Sequence, residues 1–349
     1  MRFRSLAFAA LAALVLVGCD AATDSASGDL TADAPLGGES MTTHNVLSTE
    51  KALDADVLSS TILADLPLST ALQATGTDFQ FRSRGAVFVL SNDETANEVI
   101  VFARAEDGTL SEFGTFPTGG QGAPQLGAST DPVVIGGHRG KYLYAVNGGS
   151  DEITTFRIGG GTLESYGNVA SGGALPLSIA VSGDRLFVLN AGRDGAGANI
   201  GRFEIRPNGR LRSLGEPAAL PGDFAAPPQI GFDPSASTLT VTDRATNQIA
   251  VYAVAPDGTL GMPEITASEG PTPFGFNHDA SGRLFVSEAA GGMPDASSVS
   301  SYATSGTSLS VISSAVPTTE TAACWARIIG NYVYVTNTAS GTISGYAIG

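Results

Sequence analysis

Arginine and glutamate side chains at the ends of predicted strands are the strongest candidates for chemistry in this sequence. Arg193, Arg244, Glu288 and Glu320 form a charge-balanced set at loops that border a repeated strand pattern. An arginine can bind a carboxylate or polarise a lactone carbonyl, and a glutamate can act as a general base on water or on a carbon acid. We therefore predict these four residues as catalytic, with bracing between neighbouring sheets as the alternative.

Other polar and aromatic residues at the same kind of position are predicted to bind a ligand. They are Asn147, Asn190, Asp243 and Trp325. The alternative for Asn and Asp is to cap the turn after the strand, and the alternative for Trp325, the single tryptophan, is packing between sheets. Asp194 and Thr321 are secondary candidates. Cys324 is predicted to be a small buried residue rather than a nucleophile, because no histidine lies near it in sequence.

The histidines predict no metal site, and no motif predicts a cofactor. His44, His138 and His278 are far apart, and no segment matches a zinc, phosphate-binding or triad-hydrolase motif. His278 lies inside a predicted strand, where packing in the core is expected.

Composition excludes several classes of protein. The 349 residues carry 34 acidic and 18 basic side chains, a formal net charge of -16. Nucleic acid is therefore not an expected partner, because phosphates bind clustered cations. The 44 glycines indicate many tight turns and few long helices, and the 42% hydrophobic content is sufficient for a core.

A strand that ends in a polar residue recurs six times from about residue 77 onward. The copies are residues 88–92, 143–147, 186–190, 239–243, 284–288 and 333–337. Five of them are followed by a strand that carries Ile or Val and, three positions later, an aromatic residue, as in Ile153 and Phe156. Such runs, repeated at roughly 45–50 residues, predict the four-stranded blades of an all-β propeller with six visible repeats.

Acidic or amide residues followed by glycine recur after the third strand of the repeat. The pairs are Asp107-Gly108, Asn208-Gly209 and Asp257-Gly258. They predict hairpin turns of type I′, in which both central residues have positive φ. We prefer this structural role to calcium binding.

The repeat residues resemble a known family. Tyr334-Val-Thr-Asn337 and the prolines that open first strands, Pro176, Pro228 and Pro273, are similar to the lactonase family of seven-bladed propellers, which is named for 6-phosphogluconolactonase and includes carboxymuconate cyclase. Residues 273–276, 288–292 and 318–325 resemble a secreted branch whose members mostly lack an assigned activity. The resemblance implies a seven-bladed β-propeller, and it is specific for fold rather than for function.

The chain departs from that family in its number of repeats. Six second strands are visible, and the sequence stops at Gly349, directly after a third strand. We therefore expect a last blade without its fourth strand and a C-terminal truncation. The alternative is a six-bladed ring closed by residues 78–81 or by another segment near the N-terminus. A truncated ring would expose open strand edges.

The N-terminus resembles that of a bacterial lipoprotein. Arg2 and Arg4 precede an apolar run that ends at Gly18-Cys19, which predicts a signal peptide over residues 1–18 and lipidation of Cys19. A plain secretory signal and an uncleaved anchor are the alternatives. Residues 19–76, rich in Ser, Thr, Ala and Asp, are predicted to form an acidic tether, with a short capping helix as the alternative, and residues 77–349 form the propeller.

Two functions remain open at this stage. The first is a lipid-anchored, extracytoplasmic binding protein, periplasmic or at the cell surface, that uses the propeller for a lactone, sugar acid, diacid, glycan or protein. The second is a lactone hydrolase or a muconate-cyclase-like enzyme on a non-phosphorylated substrate, because basic side chains are few and the best-known family substrate is cytoplasmic. We expect a monomer that contacts the membrane through its lipid alone.

Overall fold

The computed structural model describes residues 43–44, 62–64, 85–159, 161–222 and 224–349. Strands dominate the regular structure of these residues, which contain short 3-10 segments and no α-helix. The prediction of an all-β fold is therefore confirmed. The predicted signal peptide, Cys19 and most of the predicted tether lie outside the described residues.

The chain forms two compact units. Among the described residues, the N-terminal unit comprises 85–232 and 254–260 together with strand β2, Ile62–Ala64. The C-terminal unit comprises 233–253 and 261–349 together with strand β1, Thr43–His44.

The N-terminal unit consists of antiparallel sheets whose strands follow one another in chain order. The first sheet contains β2, β3 (Ala86–Leu90), β4 (Glu98–Arg104) and β5 (Leu110–Pro117). The second sheet contains β6 (Val133–Gly136), β7 (Tyr142–Asn147), β8 (Glu152–Gly159) and β9 (Thr162–Ala170). The third sheet contains β10 (Pro176–Ser182), β11 (Arg185–Asn190), β12 (Asn199–Ile205), β13 (Leu211–Ser213) and β14 (Ala218–Ala219). Strand β15, Gln229–Phe232, is the last strand of this unit.

The C-terminal unit repeats the same pattern. In this unit, the fourth sheet contains β16 (Thr238–Asp243), β17 (Gln248–Ala253) and β18 (Glu264–Ala267). The fifth sheet contains β19 (Pro273–His278), β20 (Leu284–Glu288), β21 (Ser298–Ser305) and β22 (Ser308–Pro317). The sixth sheet contains β23 (Ala323–Ile329), β24 (Tyr332–Asn337), β25 (Thr342–Ala347) and β1.

The burial of each strand follows its place in the sheet. Strand β7, a second strand, is buried at all six positions, whereas β4, a third strand, alternates between buried and half-buried residues. Strand β5, a fourth strand, is mostly exposed. The near-continuous apolar runs seen in the sequence are therefore second strands, which are almost fully buried in the first five sheets, whereas β24 of the sixth sheet alternates between buried and more exposed residues.

The sixth sheet is completed by a segment that precedes the first repeat. Strand β1 pairs with β25, with Thr43 opposite Tyr346 and His44 opposite Gly345. The expectation that this sheet lacks a fourth strand was wrong, because a two-residue strand within a polar segment carries no periodic pattern. The described residues form six sheets, and the family resemblance implies seven.

The hairpin turns differ from the predicted type. Gly108 donates to the carbonyl oxygen of Ala105 at 3.0 Å, and Ala105 donates to that of Thr109 at 2.8 Å. Gly108 has φ of 89°, but Asp107 does not have positive φ. The turn is therefore a right-handed turn followed by a left-handed glycine, and type I′ was wrong, because a single glycine supplies the one positive φ that this longer loop needs.

Aromatic and aliphatic residues of adjacent sheets form the core of the C-terminal unit. One cluster joins Phe285 and Val299 of the fifth sheet to Val333, Val335 and Tyr346 of the sixth sheet. No helix within the described residues is long and apolar enough to cross a membrane.

Candidate functional site

Asn147 and Asn190, at the ends of two second strands, are buried and hydrogen-bonded. Asn147 Oδ1 accepts a 3.0 Å bond from Asn97, which precedes β4 of the first sheet. Asn147 donates to Thr154 Oγ1 at 2.8 Å, and Asn190 donates to Asn199 Oδ1 at 2.8 Å. Both amides are fully buried in the N-terminal unit, and each links a second strand to a third strand. These bonds join strands rather than cap the following turn, which was the alternative for Asn, and ligand binding by Asn147 and Asn190 stays a prediction.

Asp243 caps the turn that follows β16. Its Oδ2 accepts a 3.0 Å hydrogen bond from the Thr246 amide and a 2.8 Å bond from the Thr246 hydroxyl, and the residue is fully buried. An aspartate before a turn commonly accepts such bonds from the residues that follow it. A ligand role for Asp243 also stays a prediction.

Glu288 occupies the strand-end position of the fifth sheet, where four other sheets have asparagine and the fourth sheet has Asp243. Its Oε1 accepts bonds from Ser268 Oγ at 2.9 Å, the Gly270 amide at 2.7 Å and Ser300 Oγ at 2.6 Å, and Oε2 accepts from Ser298 Oγ. The side chain is fully buried, and a Cβ on Gly270 would collide with its carboxylate. The four donors join the loop before β19 to β21, and general-base catalysis by Glu288 stays a prediction.

Arg193 bridges the second and third sheets. Its guanidinium donates to the carbonyl oxygens of Gly148 at 2.9 Å and Gly149 at 3.1 Å, and to Asp151 Oδ2 at 2.8 Å. Asp151 also accepts a 2.8 Å bond from the Leu175 amide. Sequence reasoning did not single out Asp151, because an aspartate in a polar turn gives no signal of a cross-sheet contact. The neighbour Asp194 is exposed, with φ of 53°.

Arg244 stacks on an aromatic ring of the next sheet. Its guanidinium carbon lies 5.3 Å from the centroid of Phe274, which is fully buried at the start of β19. The Thr242 hydroxyl donates a 2.7 Å bond to the Phe274 carbonyl and holds that strand against β16. The bond from Thr242 to Phe274 thus holds two adjacent sheets together at the point where the Arg244 guanidinium stacks on the Phe274 ring.

Trp325 lies on β23, the first strand of the sixth sheet, and is half-buried. Its amide donates to Thr336 Oγ1 at 3.2 Å. Gly275 of β19 packs so closely on the backbone of Cys324 and Trp325 that a Cβ would not fit. The strand that carries Phe274 therefore lies beside the strand that carries Trp325.

The loop that enters β23 carries Glu320, which is half-buried. Its amide donates to Thr318 Oγ1 at 3.1 Å, and its carbonyl accepts from the Ser297 amide at 3.2 Å. Thr321 Oγ1 accepts from the Asp295 amide at 3.0 Å. Cys324 is buried as predicted. The backbone contacts of this loop fix the position of Glu320 at the start of β23, and its catalytic role stays a prediction.

The predicted site residues are distributed over both units. Arg244, Glu288, Glu320 and Trp325 belong to the C-terminal unit, and Arg193 belongs to the N-terminal unit. Within the C-terminal unit, Arg244 stacks on Phe274 of β19, and β19 lies beside the strand that carries Trp325. Sequence reasoning did not select Phe274 as a site residue.

His278 of the C-terminal unit packs against an aromatic ring. His278 packs edge-to-face on Phe276, with ring centroids 5.8 Å apart. Burial lowers the pKa of His278 to about 4, although Asp233 and Asp279 act in the opposite direction. No cluster of three or more His, Cys, Asp and Glu side chains suited to a metal ion occurs in the part of the chain that the structure describes.

Six repeated antiparallel sheets of the described residues, five with four strands and one with five, define the chain as a β-propeller protein. A model of the Lactonase family, described as a seven-bladed β-propeller, matches residues 78–225 and 196–308. This chain belongs to that family. A search of curated proteins gives no significant match.

Solved structures share the fold at low sequence identity. A protein from Lactobacillus plantarum aligns with a TM-score of 0.61 and 15% identity, over 75% of this chain and 77% of that one. A candidate 6-phosphogluconolactonase from Bacteroides uniformis aligns at 0.59 and 16%, over 75% and 77%. The periplasmic gluconolactonase of Pseudomonas aeruginosa aligns at 0.58 and 15%, over 76% and 78%. At these identities the similarity establishes the fold.

Proposed function

We propose that this protein is an exported, lipid-anchored member of the lactonase family that binds a small lactone, sugar acid or diacid on its C-terminal unit. The observation that carries the proposal is the stacking of Arg244 on Phe274, beside the strand that bears Trp325. The Arg244 guanidinium rests on the first strand of the fifth sheet, and the Trp325 indole is on the neighbouring first strand of the sixth sheet. Together they suit an anionic or carbonyl-bearing ring.

Arg244 supplies the polar half of the proposed site. Its planar guanidinium lies over a buried ring, and this contact limits the orientations that the long side chain can adopt. A fixed guanidinium binds a carboxylate or a lactone carbonyl at a lower entropic cost than a mobile one. Lysine at this position would keep the charge and lose both the stacking and the forked geometry.

Trp325 supplies the apolar half. Its side chain is half-buried on β23, and an indole face offers a rigid apolar surface for the ring of a sugar lactone. Glu320, at the loop that enters the same strand, supplies a carboxylate that can accept bonds from sugar hydroxyls. The low number of basic residues, 18 in the chain, favours a ligand without phosphate groups.

The proposed location rests on the N-terminal residues. Arg2, Arg4 and the apolar run before Cys19 support export and lipidation, and the periplasmic location of one protein with the same fold is compatible with them. Membrane fractionation of the full chain tests this proposal. We expect Cys19→Ser to move the protein from the membrane fraction to the soluble fraction, and an unchanged distribution would contradict lipid anchoring.

Intrinsic fluorescence tests ligand binding directly, because Trp325 is the single tryptophan. We expect gluconate, glucono-lactone or muconate to change its emission with a saturable dependence on concentration. Arg244→Ala should abolish the change, and Arg157→Ala, at an exposed arginine paired with Glu164, serves as the matched control that retains it. Saturable binding that persists in Arg244→Ala, or no response to any ligand of the panel, would contradict the proposed site.

The hydrolase alternative is tested in the same preparations. Release of acid from glucono-lactone above the uncatalysed rate would assign an enzyme, and its loss in Glu320→Gln with retained ligand binding would indicate a general base at Glu320. Binding without turnover would assign a binding protein.

A further inference from the structure

Basic residues are unevenly distributed along this acidic chain. Residues 133–213, from β6 to β13, carry nine basic and six acidic side chains, whereas the remaining residues carry nine basic and 28 acidic ones. One segment of the N-terminal unit is therefore positively charged within a chain whose formal net charge is -16. Such an asymmetry indicates a surface that binds an anionic partner.

Two turns at the same end of the second and third sheets carry exposed basic residues. The turn between β6 and β7 carries Arg139 and Lys141, and all of their surroundings in the sequence from 138 to 139 are exposed as well. The turn between β12 and β13 carries Arg206 and Arg210, which are also exposed. We call these four residues the basic face. It lies where β7 begins, whereas Asn147 lies at the opposite end of β7.

Hydrogen bonds and ring contacts join the two turns. Tyr142, the first residue of β7, donates its hydroxyl to the Pro207 carbonyl at 3.3 Å, and Tyr144 donates to the Gly209 carbonyl at 3.0 Å. A Cβ on Gly209 would collide with the Tyr142 ring, so the turn packs directly against that side chain. The two turns of the basic face are therefore adjacent and form one surface.

Arg210 is oriented by an aromatic ring of the second sheet. Its guanidinium carbon lies 5.2 Å from the centroid of the Tyr166 ring, and its Nη1 donates a 2.9 Å bond to the Tyr166 carbonyl. The Tyr166 and Tyr142 ring centroids are 6.2 Å apart. These contacts use one N–H of the guanidinium, which has further donors that can bind an anion.

The charges of the basic face are not neutralised by ion pairs. Among the described residues, no ion pair includes a member of the basic face. The two exposed ion pairs of the second and third sheets add no net charge. Asp184 is the acid that a backbone bond, from the Ile205 amide to the Asp184 carbonyl, places beside the turn of Arg206. One acid beside four cations leaves the surface positive.

The membrane is the anionic partner that the sequence favours. The proposed lipid on Cys19 would keep the chain at a bilayer, and the 23 residues between Cys19 and β1 limit the distance of β1 from it to at most about 80 Å. This limit does not determine which turns face the headgroups. Acidic surfaces are repelled by anionic lipids within a Debye length of about 8–10 Å, so the basic face can approach most closely.

We propose that the basic face binds the phosphate groups of anionic lipid headgroups and orients the anchored protein on its membrane. Each of its four cations strengthens association about fivefold at moderate ionic strength. The turns at this end of the second and third sheets then lie against the bilayer, and the strand ends at Asn147 and Asn190 lie away from it. This inference rests on the proposed lipid anchoring, and it replaces the expectation that the lipid is the sole membrane contact.

Chemical labelling of Lys141 tests the proposal, because Lys51 and Lys141 are the two lysines of the chain. The full chain is placed in vesicles of phosphatidylcholine, or of phosphatidylcholine mixed with phosphatidylglycerol. We expect an amine-reactive reagent to modify Lys141 several-fold more slowly on the anionic vesicles, with Lys51 as the internal reference, and added salt to remove the difference. Equal rates on the two kinds of vesicle overturn the proposal.

Two double variants separate the charge of the basic face from the fold. Arg139→Ala with Arg206→Ala should lose most of the protection of Lys141, because half of the cations are removed. Arg157→Ala with Glu164→Ala removes an exposed ion pair of the second sheet without a change in net charge, and it is the matched control that retains protection. Protection that persists in the first variant contradicts the proposal. Thermal unfolding near the wild-type midpoint shows that each variant is folded.

Further measurements distinguish the partner and the anchor. Protection of Lys141 by a soluble acidic polymer, without protection by anionic vesicles, would overturn the membrane contact and indicate a polyanionic partner instead. Fractionation of Cys19→Ser tests the anchor separately. An anchored chain with unprotected Lys141 contradicts the role of the basic face alone, whereas an unanchored chain whose Lys141 is protected by added anionic vesicles contradicts lipid anchoring alone.

Discussion

Ser287 joins the fifth sheet to the sixth, because its hydroxyl lies 2.6 Å from the carbonyl oxygen of Cys324 and donates a hydrogen bond to it. Ser287 is fully buried, and Cys324 is 2% exposed. The Gly275 amide in turn donates to the Ser287 hydroxyl at 3.0 Å. One hydroxyl therefore fixes β19, β20 and β23 beside the proposed ligand site.

Removal of this hydroxyl should destabilise the C-terminal unit. Ser287→Ala leaves the Gly275 amide and the Cys324 carbonyl without this partner in a buried location, at a cost of about 1–3 kcal/mol. Urea unfolding measures the loss. Ser213→Ala removes an exposed hydroxyl that bonds to the Gly215 carbonyl, and it is the control with little change. Equal stability of the two variants would contradict a structural role for Ser287.

Glu288 should be required for folding stability whatever its chemical role. Glu288→Ala leaves three serine hydroxyls and one amide without their acceptor, so we expect a loss of about 3–5 kcal/mol in the free energy of unfolding. Glu288→Gln retains the shape and should cost less. If turnover is found, its loss in Glu288→Gln at an unchanged unfolding midpoint would instead support general-base catalysis.

Arg193 and Asp151 should be coupled energetically. Both side chains are 35% exposed, and their 2.8 Å ion pair is therefore partly screened by solvent. We expect a double-mutant cycle with Arg193→Ala and Asp151→Ala to give a coupling of about 0.5–1 kcal/mol, decreasing with added salt. A coupling near zero would show that the bonds from Arg193 to the Gly148 and Gly149 carbonyls carry the contact.

The free energy of unfolding should fall as pH falls from about 6.5 to 4, because of His278. Its pKa is lowered by burial to about 4, so in this window the unfolded chain binds a proton that the folded chain does not. Below about 4 both states are protonated and the loss stops. The difference between wild type and His278→Gln isolates this term from the carboxylates. Parallel pH profiles for the two proteins would contradict it.

Alanine at two glycines with similar positive φ should lower the free energy of unfolding by different amounts. Gly209 and Gly108 have φ of 79° and 89°, so alanine introduces similar backbone strain of about 1 kcal/mol at each. Gly209→Ala must also displace the Tyr142 ring, whereas Gly108→Ala meets open space. We expect Gly209→Ala to be less stable by a further 1–3 kcal/mol or so in dilute protein. Similar unfolding free energies of the two variants would contradict the close contact between Gly209 and the Tyr142 ring.

The repeat was readable from the sequence because the second strands of the first five sheets are buried almost throughout. Continuous apolar runs such as residues 143–146 are buried at every position, and each run ends at a residue whose polar group bonds within the sheet. The pairing of β1 was not readable, because Thr43 and His44 form no pattern and their partner lies some 300 residues away in sequence.

The candidate site was only partly readable for a related reason. Residue type indicated that Arg244 and Trp325 are capable of binding a ligand. No sequence pattern marked Phe274 as the ring on which Arg244 stacks. Glu288 was predicted as a general base, and its four donors, spread over residues 268–300, are brought together only by the fold. Three-dimensional contacts of this kind leave no local spacing to detect.

Hairpin turns that contain Gly209 and Gly258 pack on the second strand of the preceding sheet. The order in which the two partners are synthesised matters for the growing chain on the ribosome. In each resolved pair, the tyrosine or phenylalanine surface is made first and the glycine turn that covers it is made later, as with Tyr144 and Gly209 or Phe187 and Gly258. For these two pairs, the nascent chain exposes the aromatic side chains until the turn of the next sheet has been made. Pauses in translation between sheets would lengthen that exposure, and chaperone capture should be strongest at those points.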